Sequence, residues 1–542
     1  MQDTEIQGGR GNGDYDVLVV GAGVGGLYAL HKLRELGYRV HVIEAGDDVG
    51  GTWYWNRYPG CRCDIDSLEY SYSFNDELQQ EWRWPERYGT QGEILKYVKH
   101  VADRFDLRRD IEFKTRVTSA HYDSASNLWT LKTDTDQTHT APFCIMATGN
   151  LSTPRTPDYP GIETFKGKWY HTGLWPHEGV DFSGQRVGII GTGSSGVQSI
   201  PHIAEAAQHL HVFQRTANFS LPARNGPLDP NVERQHKAEY PERRRAAYDT
   251  PFGIAGYPPP TQSALEVSDE ERNRIFEEKW TAGDSISYLY AFNDLLTNVA
   301  ANDTASEFVR NKIRAMVKDP KTAALLCPND HPIGTKRLIL DTNYYETYNR
   351  DNVSLVDVRT HPIERITETG LRTTAGDFEL DAIVFATGFD AMTGAMKEID
   401  IRADGGPSIE DKWQDGPRSY LGLMVAGFPN MFMITGPQSP GVKSQMILSC
   451  EQHVDWITDC LTNMRETGQH CIAAEMAAED YWVDHNNEVA DSTLYPLANS
   501  WYVGANIPGK PRVFMPYVGG VTAYKAKCDE VAANGYEGFT IE

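Results

Sequence analysis

The sequence predicts an α/β protein in which two parallel sheets each start with a strand, a glycine-rich turn and a helix. Two observations predict this fold. The pattern G-x-G-x-x-G occurs at Gly21–Gly26 and again at Gly191–Gly196, both times after an apolar strand and before a helical segment. The two units also superpose in register, since Glu44 stands 18 residues after the first motif and Gln214 stands 18 residues after the second.

The first unit is a strand over Asp16–Val20, a helix over Leu27–Leu36 and a strand over Arg39–Ile43 that ends at Glu44. The glycines let the backbone approach a pyrophosphate, and the start of the helix offers unpaired N–H groups and positive potential. An acid at the end of the second strand accepts the ribose hydroxyls of an unphosphorylated adenosine. These features predict an FAD site whose contacts are Gly21, Gly23, Gly25, Gly26 and Glu44.

The second unit has strands over Arg186–Ile190 and Leu210–Phe213, followed by Gln214-Arg215-Thr216. A neutral Gln followed by Arg does not suit ribose hydroxyls, but it suits a 2′-phosphate. We therefore predict two Rossmann-like dinucleotide-binding domains, one for FAD and one for NADPH. The predicted NADPH contacts in this unit are Thr192, Gly193, Ser194, Ser195, Gly196, Gln198, Arg215 and Thr216.

The whole chain divides into five predicted segments. Two Ala-Thr-Gly triplets, at Ala147–Gly149 and Ala386–Gly388, each follow an apolar strand and mark crossings between the two domains. The charged, helix-period stretch between them contains the capping box Ser268–Glu271 and a helical pattern over Asn311–Lys318. The predicted division is 1–150 and 389–542 for the FAD domain, 151–221 and 331–388 for the NADP domain, and 222–330 for a helical insertion in the NADP domain.

The composition argues against several classes of binding partner. The 542 residues carry a formal charge of −24, which argues against nucleic acid and anionic membranes as partners. The polar N-terminus has no signal-peptide pattern, and the eight scattered cysteines include no C-x-x-C pair. We expect a cytoplasmic enzyme with no structural disulfide, no metal site and no obligate protein partner.

A third pattern is more specific than the glycine motifs. The string F-x-G-x-x-x-H-x-x-x-W-P runs from Phe165 to Pro176, and a second one runs from Gly50-Gly51-Thr52-Trp53 through Tyr58-Pro59-Gly60 to Asp64. Together they resemble the fingerprints of type I Baeyer–Villiger monooxygenases, closest to the phenylacetone and steroid monooxygenase branch. The fingerprint and domain-linker residues are Phe165, Gly167, His171, Trp175 and Pro176.

The resemblance implies a reaction. NADPH reduces FAD, O₂ gives a C4a-peroxyflavin, and this species inserts an oxygen next to a ketone carbonyl to form an ester or lactone. Aromatic, cyclic or steroid-like ketones are implied as substrates. Arg337 matches the active-site arginine and Asp64 the acid that pairs with it, while His171 matches a residue involved in domain motion more than in proton transfer.

The resemblance also implies further cofactor contacts. Lys336 matches a residue on the cofactor phosphate, and Trp501 lies in a mobile loop over residues 494–511 that closes over NADP. Gly441–Ser444 matches the substrate-facing segment, although the direction of Lys443 is open. The remaining implied contacts are Gly51, Thr52, Trp53, Tyr70, Val117 and Met446.

Alternatives stay open at this point. A flavoprotein that oxygenates nitrogen or sulfur shares both glycine motifs, although its fingerprint lacks the fixed Trp-Pro ending. A dithiol flavoprotein reductase needs a cysteine pair near the flavin, and no such pair occurs. A non-catalytic flavin-bound interaction protein would bind the flavin without NADPH ever bleaching it.

Overall fold

The computed structural model describes residues 13–155 and 158–542, so most of the polar N-terminus lies outside the described residues. The strands are β1 (Val17–Val20), β2 (Val40–Ile43), β3 (Ile111–Glu112), β4 (Val117–Asp123), β5 (Leu128–Thr133), β6 (Thr138–Ala141), β7 (Phe143–Met146), β8 (Lys168–His171), β9 (Arg186–Ile190), β10 (His209–Gln214), β11 (Ser220–Pro222), β12 (Ile339–Asp341), β13 (Val353–Asp357), β14 (Ile363–Thr367), β15 (Gly370–Thr373), β16 (Gly376–Glu379), β17 (Ala382–Phe385), β18 (Asp400–Ala403), β19 (Met431–Met433), β20 (Ile472–Ala474) and β21 (Phe539–Ile541).

The helices are α1 (Val24–Glu35), α2 (Thr52–Trp55), α3 (Asp76–Glu81), α4 (Gln91–Arg104), α5 (Ser194–Ala206), α6 (Pro230–Ala238), α7 (Tyr240–Ala247), α8 (Asp269–Ala282), α9 (Ser285–Leu289), α10 (Val299–Met316), α11 (Pro320–Leu326), α12 (Tyr344–Thr347), α13 (Gly394–Lys397), α14 (Ile409–Lys412), α15 (Met446–Thr467), α16 (Met476–Asp491) and α17 (Val521–Ala533). No helix in the described part of the chain is both long enough and apolar enough to cross a membrane.

The first glycine motif lies in a five-stranded parallel sheet of order β19-β7-β1-β2-β3. Strands β1 and β7 are almost wholly buried, as expected for a parallel sheet covered on both faces. Helix α15 packs on the start of α1. Gly25 of α1 lies against Cys450 of α15 and against Ile434, with no room for a larger side chain. The last third of the chain thus packs on the sheet that the first residues begin.

The second glycine motif lies in another parallel sheet, of order β13-β10-β9-β17-β8. The predicted α/β fold with two parallel dinucleotide-binding sheets is confirmed. Both sheets place the carboxyl ends of neighbouring strands at one edge, where ligands bind in open α/β sheets.

A four-stranded sheet of order β18-β4-β5-β6 packs on one face of the first parallel sheet. Trp129 and Leu131 on this sheet and Leu18 and Ile43 on the parallel sheet belong to one buried core between the two layers. This layer gives the first unit a second, separate core, whereas the α1 side of the sheet belongs to the main core.

Helices α6–α11 lie between β11 and β12, two short strands that pair in parallel. The capping pattern at Ser268 starts α8, where the Ser268 hydroxyl accepts the N–H of Glu271. The pattern predicted over Asn311–Lys318 is the C-terminal part of a longer helix, α10, which begins at Val299 with Asn298 as its N-cap. The apolar spacing correctly predicted the last turns of α10, but the alanine-rich first turns have no clear pattern of large apolar residues that would predict a helix.

The segments that follow the two Ala-Thr-Gly triplets, residues 150–155 and 388–392, run side by side and are joined by backbone hydrogen bonds. Arg155 N–H bonds Gly388 O at 2.9 Å, Asp390 N–H bonds Thr153 O at 2.9 Å, and Met392 N–H bonds the carbonyl of Asn150 at 2.8 Å. The two connections between the sheets therefore form one paired link.

Candidate active site

The first glycine turn leaves no space for a side chain. Gly21 has φ +105°, and a Cβ on Gly26 would lie 1.9 Å from the carbonyl oxygen of Gly21. No side chain caps the start of α1, so its first N–H groups stay available to a ligand. A turn of this shape suits a pyrophosphate because it presents N–H groups and positive helix potential without steric obstruction.

Glu44 is fixed at the end of β2 by the turn itself. Its carboxylate accepts the Ala22 N–H at 2.6 Å and the Gly46 N–H at 2.7 Å, and the residue is only 6% exposed. Burial raises the pKa of Glu44, while these two hydrogen bonds oppose the rise. A carboxylate has about four lone-pair sites, so two remain for ribose hydroxyls.

The predicted segment around Gly51 faces the glycine turn. Gly51 has φ +53°, and a Cβ there would lie 2.8 Å from the Cα of Gly23. Trp53, in α2, donates its indole N–H to the hydroxyl of Tyr70 at 3.2 Å. The rings of Trp53 and Tyr70 thus form an aromatic wall beside the first turn, and Gly51 and Thr52 lie next to it. This arrangement suits a flavin nucleotide.

The second glycine turn repeats the first in backbone terms. Gly191 has φ +111°, and a Cβ on Gly196 would lie 2.3 Å from Gly191 O. No side chain caps α5. Thr192 bonds the carbonyl of Thr216 at 2.8 Å, and Ser194 is exposed at the first turn of the helix.

The residues beyond β10 do not repeat the first unit. The Gln214 amide donates to Leu325 O at 2.8 Å and is turned away from the glycine turn. Arg215 is exposed, and neither Arg215 nor Lys336 forms an ion pair with a carboxylate in residues 13–155 or 158–542. Burial lowers the pKa of Lys336, and the charges of Arg215 and Arg359 add to this effect although Asp330 opposes it. Clustered cations without a carboxylate partner suit a phosphate.

Arg337 lies where the two units meet. Its guanidinium donates to both carboxylate oxygens of Asp64, with Nε–Oδ2 2.8 Å and Nη2–Oδ1 2.5 Å, and to the carbonyl of Val442 at 3.1 Å. The Arg337 and Asp64 side chains are 32% and 20% exposed. Burial lowers the pKa of Arg337, but the Asp64 carboxylate outweighs burial and raises it above its ordinary value. The structure therefore contains the Arg337–Asp64 ion pair, and its two side chains are only partly exposed.

The helical insertion positions Arg337. Asn302 of α10 is fully buried and bonds both the N–H and the carbonyl of Ile333, each at 2.9 Å. Ser306, one turn further on, also accepts the Ile333 N–H, at 3.3 Å. These bonds hold the turn that leads to Arg337, and no sequence motif pointed to Asn302.

Two further residues near Arg337 were not assigned from the sequence. Tyr502 is fully buried with an unpartnered hydroxyl; burial raises its pKa to about 12, and the charge of Arg337 limits the rise. The Lys443 amine lies 4.3 Å from the ring centroid of Tyr495 and 4.6 Å from that of Tyr502. Burial and the charge of Arg337 lower the pKa of Lys443 to about 7. The direction of Lys443, open from the sequence, is toward these two rings.

The other predicted contacts take different places. Trp501 is partly buried and its ring lies 4.3 Å from that of Tyr502, in the same apolar cluster as Val442. Met446 begins α15 and packs against this cluster. Val117 begins β4 and is buried between the two sheets of the first unit. Two residues before Val117, the Thr115 N–H bonds the carbonyl of Glu44 at 3.0 Å.

His171 connects the Phe165–Pro176 fingerprint to the paired link between the two sheets. Its Nδ1 accepts the Gly173 N–H at 3.0 Å, so Nε2 carries the proton and bonds the Thr387 hydroxyl at 3.2 Å. Thr387 in turn donates to Arg155 O at 3.1 Å. Burial lowers the pKa of His171 to about 4, so the ring is neutral and acts as a hydrogen-bonded support for the second Ala-Thr-Gly triplet.

The remaining fingerprint residues are packing elements. A Cβ on Gly167 would lie 2.4 Å from Asp381 O, and Phe165 lies against the same glycine. Trp175 is 4% exposed and packs against Phe182. Pro176 accepts the Gly179 N–H in the following turn.

Gln198, predicted to contact NADPH, forms hydrogen bonds that link the two units. Its amide oxygen accepts the hydroxyl of Tyr58 at 2.8 Å, and its amide nitrogen donates to Arg62 O at 3.1 Å. A Cβ on Gly60 would lie 2.3 Å from the carbonyl of Gln198. Helix α5 therefore packs closely on the loop that carries Asp64.

Two phosphate turns, an aromatic wall and an arginine–aspartate pair at their junction define a two-dinucleotide flavoprotein. A family model described as flavin-binding monooxygenase-like matches residues 14–224. A Baeyer–Villiger monooxygenase of Pseudooceanicola batsensis is 45% identical over 96% of this chain and 95% of that protein. The solved structure of an oxidized steroid monooxygenase bound to NADP is 52% identical, with TM-score 0.93, over 97% of this chain and 99% of that chain.

A phenazine N-monooxygenase of Lysobacter antibioticus is 42% identical over 97% of both chains. The chain belongs to the Baeyer–Villiger monooxygenases, a class of flavin-containing, NADPH-dependent enzymes. The family predicted from the two fingerprints is confirmed.

Proposed function

We propose that the protein inserts one atom of O₂ next to the carbonyl group of a ketone and forms an ester or lactone, with FAD as cofactor and NADPH as reductant. The overall reaction consumes ketone, O₂, NADPH and a proton, and it releases the ester, NADP⁺ and water. FAD and NADPH, when bound, supply the electrons and activate the oxygen. The observation that carries the proposal is the Arg337–Asp64 pair between the two nucleotide units.

Arg337 supplies the positive charge that this reaction needs. Negative charge develops on oxygen as the carbonyl carbon is attacked, and a fixed cation in a site with little water stabilises that charge most. Asp64 and Val442 occupy three of the five guanidinium N–H donors, so two remain for the reacting oxygen. Asp64 also keeps the guanidinium charged and oriented.

The surrounding side chains support an apolar substrate and the exclusion of water. Val442, Tyr502, Val503 and Met446 form an apolar cluster on one side of Arg337. Trp501 packs on Tyr502 at the surface of this cluster. We propose aromatic, cyclic or steroid-like ketones as substrates, and the likeness to a steroid monooxygenase supports the last of these.

We propose the remaining roles on the same basis. Arg215 and Lys336 hold the 2′-phosphate of NADPH, and Glu44 holds the ribose of FAD. The boundaries 150, 221, 330 and 388 divide the chain between the FAD domain, the NADP domain and its insertion. All eight cysteines are free thiols, which fits a reducing, cytoplasmic setting.

The test compares two arginine variants of the flavin-loaded protein. With NADPH, air and a cyclic ketone, we expect the wild type to form a lactone while NADPH absorbance falls. Arg337→Ala should retain flavin and be reduced by NADPH, yet form lactone about 10²–10³-fold more slowly. Arg109→Ala, at an exposed arginine that also pairs with an aspartate, should behave as wild type. Normal lactone formation by Arg337→Ala would contradict the proposed role.

Oxygenation of nitrogen or sulfur is the second candidate, and the phenazine N-monooxygenase relative is the observation that favours it. Oxygen transfer to the lone pair of a ring nitrogen creates no carbonyl adduct, so it needs no cation at Arg337. An aromatic N-heterocycle converted to its N-oxide equally well by wild type and Arg337→Ala, with no ester from any ketone, would replace the first proposal by this one.

A further inference from the structure

The two sheets of the first unit meet at one edge in a cluster of two histidines and a glutamate. His41 is on the same face of β2 as Ile43, and His139 is on the same face of β6 as Ala141, because side chains alternate along a strand. Ile43 and Ala141 both belong to the core between the two sheets. The two imidazoles therefore face each other across the rim of that core.

Glu112 lies between the two rings. It ends β3 directly beside Ile43 in the strand register, so it shares the face of His41. Its Oε2 lies 3.0 Å from His41 Nε2 and 3.1 Å from His139 Nε2. The three ligand atoms all lie within 4.8 Å of one another, and the side chains are between 12% and 19% exposed.

The hydrogen bonding leaves one of these atoms without a partner. The Nε2 of His139 is buried and makes no hydrogen bond to any residue that the structure describes, although it lies next to the Glu112 carboxylate. A buried polar atom without a partner is rare and costly. A metal ion between the three atoms would satisfy it, since a neutral imidazole nitrogen is a lone-pair donor to metals.

The surroundings hold the three groups in place. The Thr115 hydroxyl bonds Glu112 Oε1 at 3.1 Å, which directs Oε2 to the histidines. Tyr15 stacks on His41 with ring centroids 4.7 Å apart and planes 10° apart. In residues 13–155 and 158–542, Glu112 pairs with no lysine or arginine, so no permanent cation competes for its charge.

We propose that His41, Glu112 and His139 bind one divalent transition-metal ion, for which Zn²⁺ is the best match to the donor set. Two imidazoles and one carboxylate are a frequent zinc donor set, with water in the fourth position. The ligands come from both sheets, so the ion ties the four-stranded layer to the parallel sheet. This site is independent of ketone oxidation, and it was not predicted from the sequence because the three residues lie far apart along the chain.

The experiment measures zinc binding by the flavin-loaded, tag-free protein. The protein is dialysed against EDTA and then metal-free buffer, and bound zinc is measured by mass spectrometry after equilibrium dialysis with Zn²⁺. We expect one zinc ion per chain in the wild type. His139→Gln and His41→Gln should each weaken zinc binding by at least about 100-fold, the upper end of the effect of an outer-shell change.

His121→Gln is the matched control. His121 lies on β4 in the same small sheet and pairs with Asp400 at 2.8 Å, but it is 48% exposed and has no second histidine beside it. This variant should bind zinc as the wild type does. Zinc should also raise the Tm of the wild type and of His121→Gln, and leave that of His139→Gln unchanged.

The flavin absorbance of each variant shows whether it is folded, so a folding failure is distinguished from a lost ligand. Absence of zinc uptake by the wild type overturns the proposal. Equal uptake and equal thermal shift in wild type, His41→Gln and His139→Gln overturn it as well, because zinc would then be bound elsewhere.

Discussion

The two glycine turns share a backbone and differ in the residues that close them. In both turns the first glycine has a positive φ and the last glycine packs against the carbonyl of the first. In the first unit, Glu44 bonds back onto the turn, whereas in the second Gln214 turns away to the helical insertion. The glycines and the start of the following helix therefore give both turns the same backbone, while the two units differ in the residue at the end of the next strand.

The helical insertion α6–α11 distinguishes the second unit from the first. By accepting the Gln214 amide on Leu325 and by holding the turn before Arg337 through Asn302, it sets the direction of Gln214 and the position of Arg337. The first unit has no such insertion, and its acid remains on the turn. Four experiments test the difference between the two units, and the one with the largest expected effect comes first.

Alanine at the last glycine of each turn tests whether the shared backbone serves two ligands. A Cβ on Gly26 would lie 1.9 Å from a backbone oxygen that cannot move aside, so we expect Gly26→Ala to be isolated without flavin. Gly196→Ala meets a similar contact at 2.3 Å and should keep its flavin but lose NADPH binding. Flavin absorbance and NADPH titration measure both effects.

Gly92→Ala is the control, because it lies in α4 with open space around a Cβ and no positive φ. It should keep both cofactors and gain about 0.5–1 kcal/mol of helix stability. If Gly26→Ala retained flavin at wild-type occupancy, the first turn would not be the flavin pyrophosphate site.

Arg215→Ala tests the cation cluster of the second unit. One charge-assisted bond to phosphate is worth about 1.5–3 kcal/mol, so the KM for NADPH should rise about 10- to 100-fold. The KM for NADH should hardly change, because NADH has no 2′-phosphate. A similar rise for both nucleotides in steady-state assays would mean that Arg215 supports the fold of the turn and not the phosphate.

Gln214→Glu tests the direction of the strand-end residue. The new carboxylate would face the carbonyl of Leu325, an acceptor against an acceptor, so stability to urea should fall by about 1–3 kcal/mol. The preference for NADPH over NADH should not change, since the side chain does not reach the turn. A switch towards NADH would show that this side chain rotates inward and that the two units are more alike than we conclude.

Lys443→Met tests the charge balance where the two units meet. The pKa of Lys443 is lowered from 10.5 to about 7, so above pH 7 the folded protein releases a proton that the unfolded chain keeps. The free energy of unfolding of the wild type should therefore rise with pH between about 7 and 10.5. Below pH 7 the buried charge is present in full, and the methionine variant should be the more stable protein.

Chemical denaturation at several pH values measures this difference, which should shrink as the pH rises. Lys96→Met, at a lysine whose side chain is 67% exposed, controls for the loss of a lysine. A constant difference between wild type and Lys443→Met at all pH values would mean that the amine is not desolvated beside Arg337.

Much of the fold could be predicted because local patterns determine it. The strands β7, β9 and β17 begin and end where the apolar runs do, and the helix after each glycine motif follows from the motif itself. The predicted helix over Leu27–Leu36 begins three residues earlier, at Val24, directly after its N-cap Gly23. The predicted strand over Leu210–Phe213 is one residue longer at each end, because His209 also pairs with β9 and Gln214 also pairs with β13.

The candidate site was predicted in part. The family resemblance implied that Asp64 and Arg337 are partners, and the structure brings their side chains together over 273 residues of sequence separation. Asn302, Tyr502 and the direction of Lys443 could not be predicted, because each depends on contacts between segments that are distant along the chain. The same holds for Gln198, whose place beside Arg62 and Tyr58 follows from how α5 packs on the opposite unit.

Both glycine-rich turns and the family could be predicted from the sequence, because glycine spacing and the fingerprint strings are local patterns along the chain. Only the tertiary structure decided which way Gln214 turns, how Arg337 is held between Asp64 and Val442, and that His41, Glu112 and His139 meet. The physical reason is that side-chain direction and partner are set by packing between separate elements, and a local pattern carries no information about that packing.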